Sequence, residues 1–366
     1  MDFDAAELTE NRNVVMARGP MLAARVRAFG LYDEAGQCAP HADIRSTLFS
    51  TRPLSPAPDF GDVSVVSGPN LFAGFAPAHF GHTITCALGR LWALDRLNPK
   101  ARRRVRLVYV TRGPAKEITA LAPILRLFGI ENPVRFLGAP TLFKRIYTAP
   151  DLFGERFDGA AAPEFVDWAK RRLSPTGPIT PGRKVYVTRS GLPPGEGRYA
   201  AEAHVDRLMA LNGFEVVAPE TLPLDAQMKI FSEAETLVFA EGSAIHLHAF
   251  VKRPEQRVVV IKRRRDMGPL IERNMTAFDP TPPVIVDAID AEWRPPKRKS
   301  NASVSVLDFD RLRSALIDCD ALSPLGAWIS PKKQEVEASL NAGLEPGERM
   351  LTPEEFAAFV AERRRG

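Results

Sequence analysis

An α/β fold built from two parallel units is the architecture that the sequence predicts, on three observations. Short apolar runs that suit strands alternate with segments of helical periodicity. The Pro/Gly-rich residues 174–182 interrupt this alternation, which then restarts. The length of 366 residues fits two domains and a tail. We therefore expect two Rossmann-like domains facing a cleft, at 1–173 and 183–290, and a basic loop with a helical tail at 291–366.

The first unit is weakly patterned over residues 1–60, where prolines mark a loop. Its expected elements follow in order: strand 63–66, helix 82–97, strand 106–110, helix 116–128 and strand 134–137. Asn98 and Pro99 should end the first helix, and Gly129 the second. Strands that alternate with helices in this way are typical of a parallel sheet.

The second unit repeats this alternation more clearly. Its expected strands are 185–188, 215–217, 236–239, 257–261 and 284–286, with helices at 199–212, 224–233 and 243–251. In the tail, residues 308–318 have a helical pattern. Thr352 and Glu355 form a capping box, with Pro353 at the first helical position, so a last helix should run to Arg363.

Composition and charge indicate an ordinary globular protein. Hydrophobic residues make up 45% of the chain, which excludes wholesale disorder, and 49 basic against 44 acidic residues leave a net charge of only +5. The three cysteines lack metal-ligand spacing, so we expect free thiols and no zinc site. The acidic start has no apolar run and no stretch reaches 18 apolar residues, so the expected location is cytoplasmic.

Three motifs suggest a function but also have ordinary structural explanations. Gly195, Gly197 and Ala200 match a dinucleotide fingerprint but stand too far behind the preceding strand to favour one. Asp308 and Asp310 match a metal-binding D-x-D pattern, as do Asp318 and Asp320, yet carboxylates in a first helical turn are routine capping residues, so the pattern favours helix capping. The cations at 262–265 fit either a solvated loop or a funnel for an anionic acceptor or lipid headgroup. No aromatic residues interleave with them, which disfavours nucleic acid.

The ends of two expected strands carry the most informative residues. Arg189 and Ser190 follow strand 185–188, and ligands of open α/β sheets bind at this carboxyl edge. An arginine there offers donors that match phosphate oxygens, although an ordinary surface arginine is the alternative. Gly242 and Ser243 follow strand 236–239 and open a helix, a place where backbone N–H groups bind anions. His246 lies in that helix and is either a ligand contact or a buried core histidine, as is His248.

Taken in order, these segments resemble the family 61 glycosyltransferases, of the type that acts in capsular polysaccharide biosynthesis. The resemblance covers roughly residues 79–261 and rests on these stretches: Gly81-His82, Leu88-Gly-Arg-Leu91, Thr188-Arg-Ser190, Arg198, Glu202, Gly213-Phe-Glu-Val-Val-Ala-Pro219, Leu222-Pro-Leu-Asp-Ala-Gln227 and Ala240-Glu-Gly-Ser-Ala-Ile-His246. Cys86 stands where the family often has Asp, and Gly89 where it has Pro. His246 or a neighbour replaces a usual Asn.

The resemblance implies a GT-B fold and the transfer of a sugar, with inversion, from a nucleotide-sugar donor to a polysaccharide or glycolipid acceptor. The implied donor-binding residues are Arg189, Ser190, Arg198, Glu202, Glu220, Gln227, Glu241, Gly242, Ser243 and His246. The general base should come from the first domain, where His82 is the first choice and His79 and Asp95 are reserves. Cations can replace a metal in this fold, so no metal and no other cofactor are expected.

Two rival interpretations stay open. One is a metal-dependent transferase that uses Asp308 and Asp310, and the other is a non-catalytic carbohydrate- or lipid-binding protein of the same fold. In each case the expected partners are sugars or lipids rather than nucleic acid. Peripheral contact with an anionic membrane surface at the inner membrane face is a further expectation from the basic stretches.

Overall fold

The computed structural model describes residues 3–193, 196–296 and 302–363, and its fold is mixed α/β, as the sequence predicts. Gly195 of the glycine motif and the basic residues 297–299 of the tail loop lie outside the described residues. The chain separates into two compact units. The first unit comprises Met1–Ser174, Ala249–Val251 and Pro269–Pro280. The second unit comprises Pro175–His248, Lys252–Gly268 and Thr281–Gly366.

The strands of the described residues divide evenly between the units. Those of the first unit are β1 (Thr9–Ala23), β2 (Val26–Tyr32), β3 (Ser50–Arg52), β4 (Ser64–Val66), β5 (Asn70–Phe75), β6 (Arg106–Val110), β7 (Val134–Leu137) and β8 (Thr141–Thr148). Those of the second are β9 (Thr180–Val187), β10 (Arg198–Tyr199), β11 (Phe214–Val217), β12 (Ala234–Ala240), β13 (Arg257–Ile261), β14 (Val284–Val286), β15 (Ile289–Trp293) and β16 (Val304–Leu307).

The helices are mostly short. They are α1 (Phe80–Ala87), α2 (Pro99–Arg104), α3 (Leu121–Leu127), α4 (Pro163–Arg172), α5 (Glu202–Leu211), α6 (Leu224–Glu233), α7 (Ala244–His248), α8 (Leu270–Phe278), α9 (Phe309–Asp318), α10 (Lys333–Leu340) and α11 (Pro353–Arg363). Within the described ranges, none of them combines the length and the apolarity needed to cross a bilayer.

The sheet of the first unit is mixed rather than purely parallel. Its strands run in the order β3-β2-β1-β8-β5-β6-β7, with β4 beside β8. Strands β5, β6 and β7 are parallel, whereas β1 pairs antiparallel with both β2 and β8. Of these parallel strands the sequence predicts β6 and β7 but not β5, and the strand expected at 63–66 is β4, which pairs with β8. Strands β1 and β2 lie in the segment that is weakly patterned in the sequence; in β1, polar residues break the alternation and Pro20 lies inside the strand.

The second unit contains an all-parallel sheet in the order β11-β9-β12-β13-β14. After β9 the chain adds β11 on one side and then β12 on the other. The strand order therefore reverses between β9 and β12, and this is the place where open α/β sheets bind ligands. A small second sheet, β10-β16-β15, joins the tail to this unit.

Two expected helices of the first unit are shorter than predicted. The helix expected at 82–97 ends as α1 at Ala87, and a 3₁₀ turn, Leu91–Arg96, follows. The break falls at Gly89, where an added Cβ would lie 1.8 Å from Asp151 Oδ1. No larger residue fits there, which explains the absence of proline. The helix expected at 116–128 is reduced to α3.

The linker expected at 174–182 is partly strand, since β9 already begins at Thr180. Backbone pairing overrides the Pro/Gly signal here. Ala234 of β12 pairs with Thr180, so the strand extends through Pro181 and Gly182.

The first unit closes its core with aromatic side chains from distant parts of the chain. The ring centroids of Phe153 and Phe165 lie 4.6 Å apart in a stacked pair. Phe250 and Phe278, from the two segments that follow in sequence, lie 4.7 Å from each other and 5.7 Å from Phe153. These segments therefore complete a core that residues 1–174 begin.

Candidate active site

The carboxyl edge of the parallel sheet gathers charged residues from three neighbouring strands. Arg189 follows β9, Glu241 and Gly242 follow β12, and Arg263 follows β13. Because β9 and β12 flank the reversal of strand order, Arg189 and Gly242 stand on the two sides of the expected ligand position.

Arg189 is held over the turn at Gly242. Its Nη2 donates to the backbone oxygens of Glu196 at 2.7 Å and Gly197 at 3.1 Å, and these bonds orient the guanidinium. A Cβ added to Gly242 would lie 2.5 Å from Arg189 Nη1. The absence of a side chain at Gly242 is therefore what allows the guanidinium to lie against the backbone.

A buried carboxylate holds the run of cations that follows β13. Glu241 is almost fully buried, accepts a hydrogen bond from the backbone N–H of Arg263 at 2.8 Å, and forms an ion pair with Arg264. Burial, with the nearby charge of Arg189, lowers the pKa of Arg263 to about 10. The solvated-loop interpretation of 262–265 is therefore wrong at Arg263, which is 5% exposed. Its position directly after a buried strand is the signal that could have revealed it.

Glu202 is buried beneath Arg189. Its Oε1 accepts a hydrogen bond from the backbone N–H of Arg189 at 3.2 Å, and Oε2 has no hydrogen-bond partner among the described residues. Burial raises the pKa of Glu202 to about 7, against the opposing charge of Arg189. This carboxyl can therefore gain or lose a proton near neutral pH beside the arginine.

Of the other residues that the sequence predicts to bind the donor, some lie exposed at the carboxyl edge of the sheet and others are buried and hold the nearby backbone in place. Ser190 and Glu220 are exposed at the same edge, and a Cβ on Gly191 would lie 2.1 Å from the Glu220 carboxylate. Gln227 is buried and donates Nε2 to the oxygens of Pro219 and Leu222, so it shapes the loop after β11.

Arg198 contacts the tail. Its Nη2 donates to the backbone oxygens of Ser339 at 2.8 Å and Ala342 at 3.0 Å, at the end of α10. These bonds link β10 to the tail.

Ser243 precedes α7, which is only five residues long and continues as a 3₁₀ turn, so the expected helix 243–251 is divided. His246 is buried in α7. His248 is fully buried beside Phe239, and burial lowers its pKa to about 4. The core-histidine interpretation of His248 therefore fits the structure.

The first unit contains a separate cluster around His82. His82 Nδ1 forms a close pair with Glu155 Oε1, and Cys86 lies one helical turn after His82 on α1. The ligand atoms of His82, Cys86 and Glu155 all lie within 4.8 Å of one another, so these three side chains could hold a metal ion. Sequence reasoning missed Glu155, because it is distant in the chain and no local motif marks it.

Glu155 is fixed by a set of hydrogen bonds. Its Oε2 accepts from Thr47 N at 2.8 Å and Thr47 Oγ1 at 2.6 Å, and its Oε1 accepts from Thr85 Oγ1 at 3.0 Å. Although burial opposes ionisation, the hydrogen bonds from His82 and Thr47 lower the pKa of Glu155 to about 2. The carboxylate is therefore ionised at neutral pH and fixed in orientation.

Burial and the neighbouring Glu155 carboxylate raise the pKa of the Cys86 thiol well above its ordinary value. The thiol is therefore protonated at neutral pH and is not a reactive nucleophile. Its role in the cluster is that of a soft, buried neighbour of the imidazole.

The two reserve candidates for the base have different surroundings. The ring of His79 lies 5.0 Å from that of His82, centroid to centroid, so the structure brings these two together. Asp95 instead forms ion pairs with Arg172 at 2.6 Å and Arg102 at 3.2 Å. Asp95 is thus engaged in charge pairing on the 3₁₀ turn after α1.

The D-x-D carboxylate Asp308 serves as a helix cap. Asp308 Oδ1 accepts hydrogen bonds from the backbone N–H groups of Asp310 and Arg311 at the start of α9, and Oδ2 pairs with Arg311. This is the capping interpretation of the motif. The capping box of the last helix is present as well, with Thr352 and Glu355 bonded reciprocally.

Comparison with known proteins gives a match to one family model. A family model described as Glycosyltransferase 61 matches residues 80–260, which include the His82 cluster and the strand ends of the second unit. No curated protein matches the chain. The matched segment supports a family 61 glycosyltransferase.

Proposed function

We propose that this protein is an inverting glycosyltransferase of GT-B arrangement that moves a sugar from a nucleotide-sugar donor to a polysaccharide or glycolipid acceptor. The observation that carries the proposal is the placement of Arg189 against Gly242 at the reversal of strand order. In this proposal the second unit binds the donor, the first unit supplies the base, and transfer needs no metal.

The donor diphosphate binds at the carboxyl edge of the sheet, between the ends of the neighbouring strands β9 and β12. Arg189 gives its guanidinium to the phosphate oxygens, while the backbone at Gly242 and Ser243 approaches them closely. The buried cation of Arg263 adds positive potential from the next strand. These charges stabilise the diphosphate as it leaves, a role that belongs mainly to the transition state.

His82 acts as the general base, and Glu155 positions it. With Nδ1–H donated to Glu155, the imidazole keeps its lone pair on Nε2. Nε2 takes the proton of the acceptor hydroxyl as that oxygen attacks the anomeric carbon. The bond from the anomeric carbon to the phosphate oxygen breaks, and its electron pair leaves with the nucleoside diphosphate.

The donor site is tested by calorimetry with nucleoside diphosphates. Arg189→Ala should weaken binding by roughly 10- to 100-fold, the worth of one or two charge-assisted hydrogen bonds. Arg257→Ala is the matched control, because Arg257 lies exposed at the first residue of β13, the opposite edge of the sheet. Equal affinities for Arg189→Ala and the unmodified protein would remove the phosphate role.

The base is tested with a screen of nucleotide sugars that reports transfer and donor hydrolysis. His82→Ala should lower turnover about 10²- to 10⁴-fold and leave diphosphate binding intact. His79→Ala is the comparison: a larger loss there would move the base to His79. A protein that binds diphosphate but turns over no donor would be a binding protein of the same fold.

The acceptor and the location are proposed from the distribution of charge. A cytoplasmic enzyme with peripheral contact to an anionic membrane would reach glycolipid acceptors. The cations at 262–265 contribute little to such contact, because Lys262 pairs with Asp287 and Arg264 with Glu241. Membrane contact would therefore come from other basic parts of the chain, and we propose no nucleic-acid partner.

A further inference from the structure

We propose that His82, Cys86 and Glu155 form a binding site for a thiophilic divalent cation of the zinc type, and that its occupation inhibits sugar transfer. The binding part stands on the geometry of the cluster alone. The inhibitory part rests on the proposed function, because it requires His82 to be the base.

The three side chains offer one nitrogen, one sulfur and one oxygen, which is a donor set that zinc accepts. His82 and Cys86 are four residues apart on α1 and therefore share one face of the helix. Glu155 comes from the 3₁₀ turn Glu155–Phe157 and brings its carboxylate to the same point. All ligand atoms lie within 4.8 Å of one another, so small side-chain adjustments would bring them around one ion.

The surroundings of the cluster support an ion. Thr47 and Thr85 orient the Glu155 carboxylate, as second-layer hydrogen bonds do at metal sites. The side chain of Glu155 is 1% exposed and that of His82 is 30% exposed. The cluster is therefore closed at the carboxylate and exposed to solvent at the imidazole, the side from which an ion and a fourth, water ligand would enter.

Charge also balances. A divalent cation with one thiolate, one carboxylate and one neutral imidazole has no net charge, so the buried site gains no uncompensated ion. Binding releases the thiol proton of Cys86 to solvent. In exchange, the cation neutralises the Glu155 carboxylate, which without an ion accepts hydrogen bonds from His82, Thr47 and Thr85.

The inhibitory effect follows from the two nitrogens of one imidazole. In the proposed base, Nδ1 carries the proton toward Glu155 and Nε2 keeps the lone pair. A cation on Nδ1 takes the place of that proton, and the neutral ring then carries its hydrogen on Nε2. Nε2 can no longer accept the proton of the acceptor hydroxyl, so metal binding and base catalysis exclude each other.

The binding part is tested with Co²⁺ as a spectroscopic probe on the full chain, treated with a chelator, dialysed and kept under a phosphine reductant. Thiolate ligation gives a sulfur-to-cobalt charge-transfer band, which should saturate at one equivalent and be displaced by Zn²⁺. Cys86→Ala and Cys86→Ser should each lose the band and weaken Zn²⁺ binding by at least ~100-fold. Cys38→Ser and Cys319→Ser are the matched controls, since these free cysteines lie elsewhere, and they should keep the band.

Absence of the band in the unmodified protein, or its survival in both Cys86 variants, would overturn the site whether or not the protein transfers sugar. The second readout is turnover at increasing free Zn²⁺. The zinc concentration that halves turnover should be at least ~100-fold higher in Cys86→Ser than in the unmodified protein, each scaled to its own metal-free rate. Zinc that binds as proposed but leaves turnover unchanged would overturn the inhibitory link. Failure to turn over any donor would overturn the proposed function and leave the cobalt result to decide the site.

Discussion

Replacing Glu202 with Gln should remove a pH dependence of stability from the second unit. Burial raises the pKa of this carboxyl from its ordinary value of 4.5 to about 7. The unfolded chain therefore releases the proton near pH 4.5, whereas the folded chain holds it until about pH 7. The stability that protonated Glu202 contributes is complete below about pH 4.5 and is lost as the pH rises through about 7.

The magnitude follows from the pKa difference between the two states. A difference of about 2.5 at about 1.4 kcal/mol for each pH unit gives on the order of 3 kcal/mol. With the denaturant dependence usual for a domain, this corresponds to a shift of roughly 1 M in the urea midpoint. Gln keeps an oxygen that accepts from the backbone N–H of Arg189, so the variant retains the hydrogen bond and loses only the titration.

The assay is urea unfolding at pH 5 and pH 8 for the unmodified protein and for Glu202→Gln. The unmodified protein should lose more stability between the two pH values, and the variant should be the more stable one at pH 8. Glu255→Gln, at an exposed position, is the matched control and should behave like the unmodified protein. The same change of midpoint with pH in Glu202→Gln and in the unmodified protein would refute the reasoning.

Three further predictions concern packing around the two sites. Arg90→Ala should lower the free energy of unfolding by about 3–5 kcal/mol, because the buried Asp151 carboxylate then lacks its ion-pair partner. A loss below about 1 kcal/mol, measured by thermal denaturation, would contradict this prediction. Gly154→Ala should lower both stability and turnover, since an added Cβ would lie 1.8 Å from a backbone oxygen of α1 and displace the turn that carries Glu155. Normal turnover in this variant would contradict the role of Glu155 in positioning His82. Gly242→Ala should weaken diphosphate binding ~10-fold with little change in melting temperature, because the added Cβ meets the end of the Arg189 side chain rather than backbone. A large drop in the melting temperature would contradict this prediction.

The strand ends of the second unit could be predicted from the sequence because local signals suffice there. Buried runs such as the one that ends before Arg189 are bounded by glycine and charged residues, and parallel strands bring their carboxyl ends to one edge. The parallel sheet is confirmed, and the donor role of that edge stays a prediction.

The His82 cluster could be predicted only in part, because its geometry depends on contacts far apart in sequence. The spacing of His82 and Cys86 is visible in the sequence, whereas Glu155 reaches them through a turn that Gly154 forms with a φ of +93°. Likewise, the break at Gly89 depends on Asp151, 62 positions later. Periodicity reports which face of an element is apolar and contains no information about such partners.

The chain returns twice from the second unit to the first, at 249–251 and 269–280, and this affects folding during synthesis. Because Phe250 and Phe278 complete the aromatic core of the first unit, a nascent chain that has only reached Ser174 cannot yet bury that core. The first unit must wait until synthesis passes Pro280, when about half of the second unit has also been made. We therefore expect that no single cut yields two independently folding fragments, and that a fragment ending near residue 174 exposes apolar surface and aggregates.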